Sequence, residues 1–337
     1  MIGIKEIAQA ANVSVTTVRR ALNDLSDINL RTKQKVLKTA KQLNYQKNLL
    51  ASSLVKNKTH IIGVIIPDIE ISFYPSLILG IERANNSADY RLLLYHSDYT
   101  LEGFLKGIDT FAGYRVDGMI IVPVPSREKN KIVSYLKKMK RPYVFVDEYF
   151  DDVNISFVST DDRPGAIKAI EYLVGLGHRR IAHFSGNLED ITAQKRLSGY
   201  KTGLKKAGIS CDKNLVIESG VTRQAGREAA RKILAMDKLP TAVFCYNDMV
   251  ATGAMKMFLD NGLRIPEDIS IIGYAGLPDT DMLKVPLSTV YQPAREMGAR
   301  AAQLLIDEIE RRPKKKQKVL LKTELIIRES CRRYDIG

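Results

Sequence analysis

Cysteine, histidine and long apolar runs are all scarce in this chain, and each scarcity closes off a class of function. The three cysteines, Cys211, Cys245 and Cys331, are odd in number and far apart. They offer neither a disulfide framework nor metal-ligand spacing, so a reducing, cytoplasmic compartment is expected. No run of about 18 apolar residues occurs, so no membrane-spanning helix is predicted. The first residues lack the charged-then-apolar order of a secretory leader. Of the four histidines, His60, His96 and His183 stand alone, and His178 sits in the turn sequence Leu176-Gly177-His178-Arg179-Arg180. There is no Gly-rich phosphate loop ending in lysine, no G-x-G-x-x-G after a strand and no G-x-S-x-G elbow. No catalytic residue, metal or cofactor is therefore assigned.

What is present is a chain of 337 residues, 45% hydrophobic, enough for two or three domains with full cores. The net charge of +14 is unevenly placed: residues 1–58 hold 11 Lys/Arg against 3 Asp/Glu, a local excess of +8. A basic head on a more balanced body is the electrostatic footprint of a phosphate-binding surface. A second basic run, Arg311 to Lys318, reads as a solvated loop between a helix and a strand, with a second nucleic-acid contact as the alternative.

Within the head, Ile4 to Asn23 carries two short helical patterns around a tight turn at Ala11-Asn12-Val13. Ser14 is placed to cap the second helix. Ile4, Ile7, Ala8 and Ala11 share one face of the first helix, and Val18, Ala21 and Leu22 one face of the second. Both faces can pack on a third helix, roughly Arg31 to Asn44, through Val36, Leu37, Ala40 and Leu43. This is the pattern of a helix-turn-helix, whose second helix reads bases in the major groove near its N-terminus.

After Lys58 the pattern alternates strand and helix. Ile61 to Ile66 is a continuous apolar run, as a strand buried on both faces requires. Helices are predicted near Tyr74–Ala88, Leu101–Phe111 and Glu128–Lys138, with strands at Arg91–Tyr95, Gly118–Val122 and Tyr143–Val146. The alternation restarts after Phe157-Val158-Ser159. Helices then follow at Pro164–Leu176, Gln194–Ala207, Arg223–Ala235 and Met249–Asn261, and strands at Ile181–Phe184, Leu215–Glu218, Ala242–Cys245 and Ile269–Gly273. Two such halves imply doubly wound parallel sheets with a cleft between them, and ligands bind at the carboxyl ends of the strands.

Ser14-Val15-Thr16-Thr17-Val18-Arg19-Arg20-Ala21-Leu22-Asn23 resembles the S-x-x-T-V-S-R-V-L-N recognition helix of the lactose/purine repressor (LacI/GalR) family. The likeness continues through Leu43-Asn44-Tyr45 and Asn48-x-x-Ala51-x-x-Leu54, and runs through the core to Arg328-Glu329-Ser330. It implies a small all-α helix-turn-helix domain followed by an α/β, two-subdomain, periplasmic-binding-protein-like core. The expected division is 1–46 for the head, 47–58 for a hinge helix and 59–337 for the core. Within the core, one subdomain covers about 59–160 and 292–320, the other about 161–291 and 321–337. The chain is then expected to cross between halves three times, near Thr160–Asp162, Tyr291–Pro293 and Lys318–Lys322, with an Ala294–Ile309 helix returning to the first half.

The resemblance also implies roles. Val15 and Thr16 stand where relatives contact base edges, and Arg20 matches a base-reading arginine suited to guanine O6/N7. Thr17, Arg19 and Asn23 fall to phosphate positioning; Arg19 departs from the usual serine. Asn48, Ala51 and Leu54 match a hinge helix that folds over the minor groove, Leu54 being the wedge between base pairs and Ala51 staying small for close approach. Lys47 replaces the common proline, and Leu49 or Leu50 the common arginine, which points to weaker hinge folding or a more hydrophobic two-fold contact. A helix so short needs a partner. The expected partners are a second copy of the chain, as a dimer without a tetramerising coil, and a palindromic or pseudo-palindromic double-stranded operator.

For the cleft, the resemblance implies that Phe73 stacks on the effector and Arg196 hydrogen-bonds its oxygens. Thr192, Asn247, Asp248 and Asp162 lie at the cleft edge, Asp162 with the hinge as its second possible station. Sugar- and purine-binding relatives often carry an aspartate after the Gly-aromatic pair of a late strand; here Gly273-Tyr274 is followed by Ala275-Gly276. Asp279 or Asp281 is the expected substitute, and Asp190 in place of a basic residue argues against a purine base. The expected function is a transcriptional repressor controlled by a carbohydrate-like effector. The alternatives are control by a protein corepressor, or a sequence-tolerant DNA-binding protein without a ligand. The missing catalytic motifs argue against an enzyme on the same scaffold, and the missing leader and basic head against an exported sugar-binding protein.

Overall fold

The structure is a computed structural model that describes residues 2–23, 28–45, 58–124, 126–311, 313 and 315–334. The chain divides into two compact units, Met1–Thr59 and His60–Gly337.

The first unit holds three helices, α1 (Ile4–Ala10), α2 (Val15–Leu22) and α3 (Leu30–Gln42). The α1–α2 turn places Asn12 in the left-handed region (φ 48°), which asparagine tolerates. Ser14 then caps α2, its hydroxyl accepting from the Thr17 backbone N–H at 3.0 Å. The apolar stripes meet in a core of Ile7, Ala8, Ala11, Val18, Ala21, Val36 and Ala40. Leu37, expected in that core, is instead 43% exposed. Val36 and Ala40, four residues apart, define the buried line of α3, and Leu37 falls a third of a turn away on its flank.

The second unit contains strands β1 (Ile61–Ile66), β2 (Arg91–His96), β3 (Gly118–Ile121), β4 (Tyr143–Val146), β5 (Ser156–Thr160), β6 (Ile181–Phe184), β7 (Val216–Ile217), β8 (Ala242–Cys245), β9 (Ser270–Ala275), β10 (Ser288–Tyr291), β11 (Lys318–Leu321) and β12 (Glu324–Ile326). Its helices are α4 (Phe73–Ser87), α5 (Leu101–Gly113), α6 (Lys129–Met139), α7 (Asp162–Gly175), α8 (Ile191–Lys206), α9 (Arg223–Leu234), α10 (Asp248–Asp260) and α11 (Ala294–Glu310).

The strands form two sheets, ordered β11-β5-β4-β3-β1-β2 and β12-β10-β9-β8-β6-β7. All described pairings are parallel except β10 with β12. In β1, Ile62 through Ile66 are all buried, because helices cover both faces of the sheet. One face packs Leu77, Met297 and Leu305, the other Phe104, Phe111 and Phe145. The second sheet is sandwiched likewise, by Ile233 and Phe258 on one side and by Tyr200 and Tyr274 on the other. Each such side chain taken from water stabilises the fold by about 1.5–3 kcal/mol before entropy is counted.

The chain passes between the sheets after Thr160, after Tyr291, and between Leu321 and Glu324. Helix α11 follows the second passage and packs back on α4 in the first lobe. The two helices approach closely at Gly80 and Gly298; a Cβ on Gly80 would stand 2.0 Å from the Arg295 carbonyl oxygen. Part of the Arg311–Lys318 run serves this lobe: Lys316 bonds the buried Glu308 carboxylate at 2.6 Å, which also accepts from the Ser156 hydroxyl at 2.5 Å.

Candidate functional site

On α2, Thr16, Arg19 and Arg20 are exposed, opposite the buried Val18 and Ala21. With Asn23 at the C-cap, the spacing Thr16, Arg19/Arg20, Asn23 forms one polar stripe along the helix. Val15 is half-buried against the head core, leaving part of its side chain at the surface. The Thr17 hydroxyl lies 2.8 Å from that of Ser14, so it is engaged in the cap. Asn48, Ala51 and Leu54 lie outside the described residues.

In the second unit, a cleft of about 690 Å³, open to solvent, lies between the lobes. Its walls are the segments that follow strand carboxyl ends in both lobes: Pro67 and Ile71 after β1, Val122 to Val124 after β3, Asp147 and Glu148 after β4, Asp190 after β6, Tyr246 and Asn247 after β8, and Leu277 after β9. Parallel strands leave their carboxyl ends free of crossover helices on that side, so loops from both sheets converge there. Phe73, Arg196 and Asn247 line the cleft; Thr192, Asp162 and Asp248 are not on its wall.

Each of these three has another task. The Asp248 carboxylate accepts from the Thr289 hydroxyl at 2.6 Å and from the Leu277 N–H at 2.7 Å, pinning the loop after β9. Gly273 makes room for it, since a Cβ there would meet the carboxylate at 2.1 Å. Thr192 donates to Glu148 and lies 3.0 Å from the Tyr246 hydroxyl. Asp162 belongs to the inter-lobe crossing. Asn247, although on the wall, has its amide occupied in capping α10 and in a bond to the Val221 carbonyl.

Arg196 links the cleft to two of the crossings. Its Nε and Nη2 donate to the Asp162 carboxylate at 3.1 and 3.0 Å, its Nη1 to the Tyr246 carbonyl at 2.7 Å and its Nη2 to the Gln292 side-chain oxygen at 3.3 Å. Gln292 donates in turn to the Thr160 hydroxyl at 2.8 Å, and Thr160 donates to Asp162 at 2.5 Å. Thr160 and Asp162 flank the first crossing; Gln292 sits in the second. The guanidinium lies 3.8 Å from the Tyr274 ring centre and 4.7 Å from that of Tyr246. Burial pulls its pKa down, but Asp162 and the tyrosines outweigh that and hold Arg196 firmly charged.

The cleft is otherwise acidic. Asp147, Glu148 and Asp190 line it, and among the described residues no lysine or histidine does. Asp147 is buried and left-handed (φ 67°). Glu148 Oε2 accepts from the Ile191 N–H at 3.1 Å, so a carboxylate of one lobe caps α8 of the other. Arg127–Glu189 at 2.7 Å and Lys195–Asp151 at 3.4 Å cross the same seam. Burial, then Glu148, pushes Asp147 up to about 8; burial, then Asp190, pushes Glu148 up to about 8; burial, then Asp147, pushes Asp190 up to about 7. Desolvation and mutual repulsion both disfavour ionising three neighbouring carboxyls.

Ala275 lines the cleft where an aspartate was missing from the sequence pattern, with φ at 116°, a conformation rare for any residue with a Cβ. Asp279 and Asp281 are exposed and off the wall, and Asp279 pairs with Arg223 at 3.6 Å. The carboxyl groups on the wall are instead those of Asp147 and Glu148, which follow β4, and of Asp190. An acidic pair immediately after the apolar run Tyr143–Val146 was the available signal.

Residues 3–48 match the family described as bacterial regulatory proteins, lacI family, and residues 170–331 match a periplasmic binding protein-like domain. The "Probable HTH-type transcriptional repressor ExuR" of Bacillus subtilis (strain 168) is 35% identical over 337 residues, covering 99% of each chain. This chain belongs to the LacI family. LacI-family relatives of this kind are DNA-binding transcriptional repressors rather than enzymes, and the chain shares that character. Among solved structures, the lac repressor dimer bound to operator and an anti-inducer is 25% identical, with a TM-score of 0.88 over 98% of each chain. The transcriptional regulator CelR in complex with cellobiose is 26% identical, with a TM-score of 0.76, over 98% of this chain and 100% of that one. Both cover head and core, so the LacI-family architecture extends along the chain. Among the described residues, no helix is long and apolar enough to cross a membrane.

Proposed function

We propose that this LacI-family protein binds a pseudo-palindromic operator as a homodimer in the cytoplasm and is controlled by a carbohydrate-like effector in the cleft. The observation that carries the effector half is Arg196, which lines the cleft and is bonded to Asp162 and Gln292 at two inter-lobe crossings. A ligand that favours one lobe arrangement shifts the population of that arrangement, and the head responds. The cellobiose complex of CelR and the operator-bound lac repressor dimer support the same two-site logic.

In this reading Thr16 and Arg20 contact base edges, with Val15 adding apolar contact from its exposed part. Arg19, Thr17 and Asn23 position α2 on phosphates. Residues 1–46 act as the head, 47–58 as the hinge and 59–337 as the core; Asn48, Ala51 and Leu54 bind the minor groove, with Leu54 as the wedge.

Selection of bound duplexes from a random pool by the full chain tests the DNA half. The expected result is two symmetry-related half-sites bound about 10³–10⁷ times tighter than random DNA. Binding that depends on salt but not on sequence would overturn it. Adding the selected duplex to the protein with and without candidate sugars tests the effector half. Release or tightening by a sugar supports it, and indifference to all of them points to a protein corepressor.

A further inference from the structure

The charge balance of the cleft constrains its ligand. Its cation, Arg196, is 3% exposed, paired with Asp162, and most of its donors are taken by Asp162, Tyr246 and Gln292. The Arg196–Asp162 pair is neutral as a unit. Three further carboxyl groups, on Asp147, Glu148 and Asp190, reach the same space, with no lysine or histidine lining it among the described residues. Glu148 already accepts from the start of α8, and Asp147 and Asp190 line the same space.

An anionic ligand entering here meets three carboxyl groups whose own ionisation burial and mutual repulsion already disfavour, and it adds a further negative charge without a counterion. A neutral ring can exchange hydrogen bonds with the carboxyls but supplies no counter-charge. A protonated amine supplies it directly. The remaining wall suits a ring: Phe73, Tyr74, Tyr99 and Tyr246 offer aromatic surface, which attracts cations as well as sugar faces.

We propose that the cleft selects a cationic, hydroxyl-bearing ligand, the class of the amino sugars, and rejects uronic acids and sugar phosphates. This rests on the effector reading of the cleft and adds the sign of the ligand's charge. Because burial and mutual repulsion raise the three carboxyls, an amine that binds beside them drives protons off, so binding releases protons near neutral pH.

The test is calorimetric titration of the full-length protein with two matched sets: D-glucose, D-glucosamine and D-glucuronate, and the galactose counterparts. The expected outcome is that the amine binds at least about tenfold tighter than the neutral sugar in one or both sets, with the uronate weakest. Its heat should vary with the buffer's ionisation enthalpy, reporting proton release. The Asp147→Asn/Asp190→Asn double variant should lose the preference while still binding the neutral sugar. Its fold is checked by thermal unfolding and by binding to the selected operator. A neutral sugar or uronate binding as tightly as the amine overturns the charge assignment and leaves a small-molecule effector standing. An amine preference that survives in the double variant overturns it as well. No binding by any of the six overturns the assignment; whether the chain is still an operator-binding repressor is read separately from the selected duplex.

Discussion

Glu148 follows a strand of the first lobe, and its carboxylate bonds the backbone N–H of Ile191 at the first turn of a second-lobe helix. The cap of α8 is thus supplied from 43 residues upstream and across the cleft. Asp190, the local N-cap residue, makes no side-chain cap bond. The first turn of α8 is thus completed by a side chain of the opposite lobe.

Glu148→Ala should therefore lower the stability of the second unit by about 1 kcal/mol, the usual loss for a helix cap. Glu148→Gln, which keeps an acceptor, should lose less. Urea unfolding of the full chain compares the two, and equal losses would rule out the cap as the cause.

Ala275 holds φ at 116° beside the cleft. Glycine adopts that conformation without a Cβ penalty, so Ala275→Gly should raise stability by about 1 kcal/mol. A lower urea midpoint in the variant would show that the alanine methyl contributes more through packing than it strains the backbone.

His183 is buried between the rings of Tyr200 and Phe244, with centroids at 5.0 and 4.9 Å. Its Nδ1–H donates to the Phe244 carbonyl at 2.9 Å, and its Nε2 has no partner among the described residues. Burial holds its pKa down at about 4. A histidine kept neutral in the fold contributes stability that is present above pH 6.5 and lost as pH falls towards 4. The loss approaches about 3 kcal/mol at the acid end. His183→Phe should flatten the stability profile across that window, as followed by urea midpoints.

The acidic trio acts in the opposite direction. Asp147, Glu148 and Asp190 have folded pKa values above their unfolded ones, so their contribution is present below about pH 4 and lost as pH rises through 7 and 8. The groups facing them are Arg196, Asp162, Glu189, Thr192, Tyr74, Tyr99 and Tyr246. Between about pH 6 and pH 9 the core should lose stability, and Asp147→Asn should lose less. Parallel unfolding curves for wild type and variant at both pH values would contradict this.

In the head, Arg20→Ala should cost about 1–3 kcal/mol on the selected operator and relax preference at one base pair per half-site. A uniform loss on all duplexes would reassign Arg20 to phosphate. Ser14→Ala should instead lower head stability by about 1 kcal/mol through the lost Thr17 cap.

The alternation of apolar runs and amphipathic stretches was enough to place the main strands, because two-sided burial leaves its mark on composition, as in Ile61–Ile66. The start of α8 was read as Gln194 and falls at Ile191, since its cap comes from Glu148 and leaves no local trace. In the cleft, Phe73, Arg196 and Asn247 were legible through family resemblance, and the structure puts them on the wall. Asp248 was not distinguishable from a ligand residue in sequence. Its occupation by Thr289 and Leu277 depends on contacts 41 and 29 residues away. Asp147 and Glu148 went unassigned because an acidic pair after a strand is ordinary until the other lobe closes over it.

Strands β11 and β12 are separated by two residues, yet one ends the first sheet and the other the second. Beyond them the Ser330 hydroxyl bonds both the Ser288 N–H and the Ile271 carbonyl. The last stretch of the chain is therefore shared property of both lobes. A premature stop at residue 318 would strip an edge from each sheet at once, so very late nonsense alleles of this gene should behave as nulls rather than as partly active repressors.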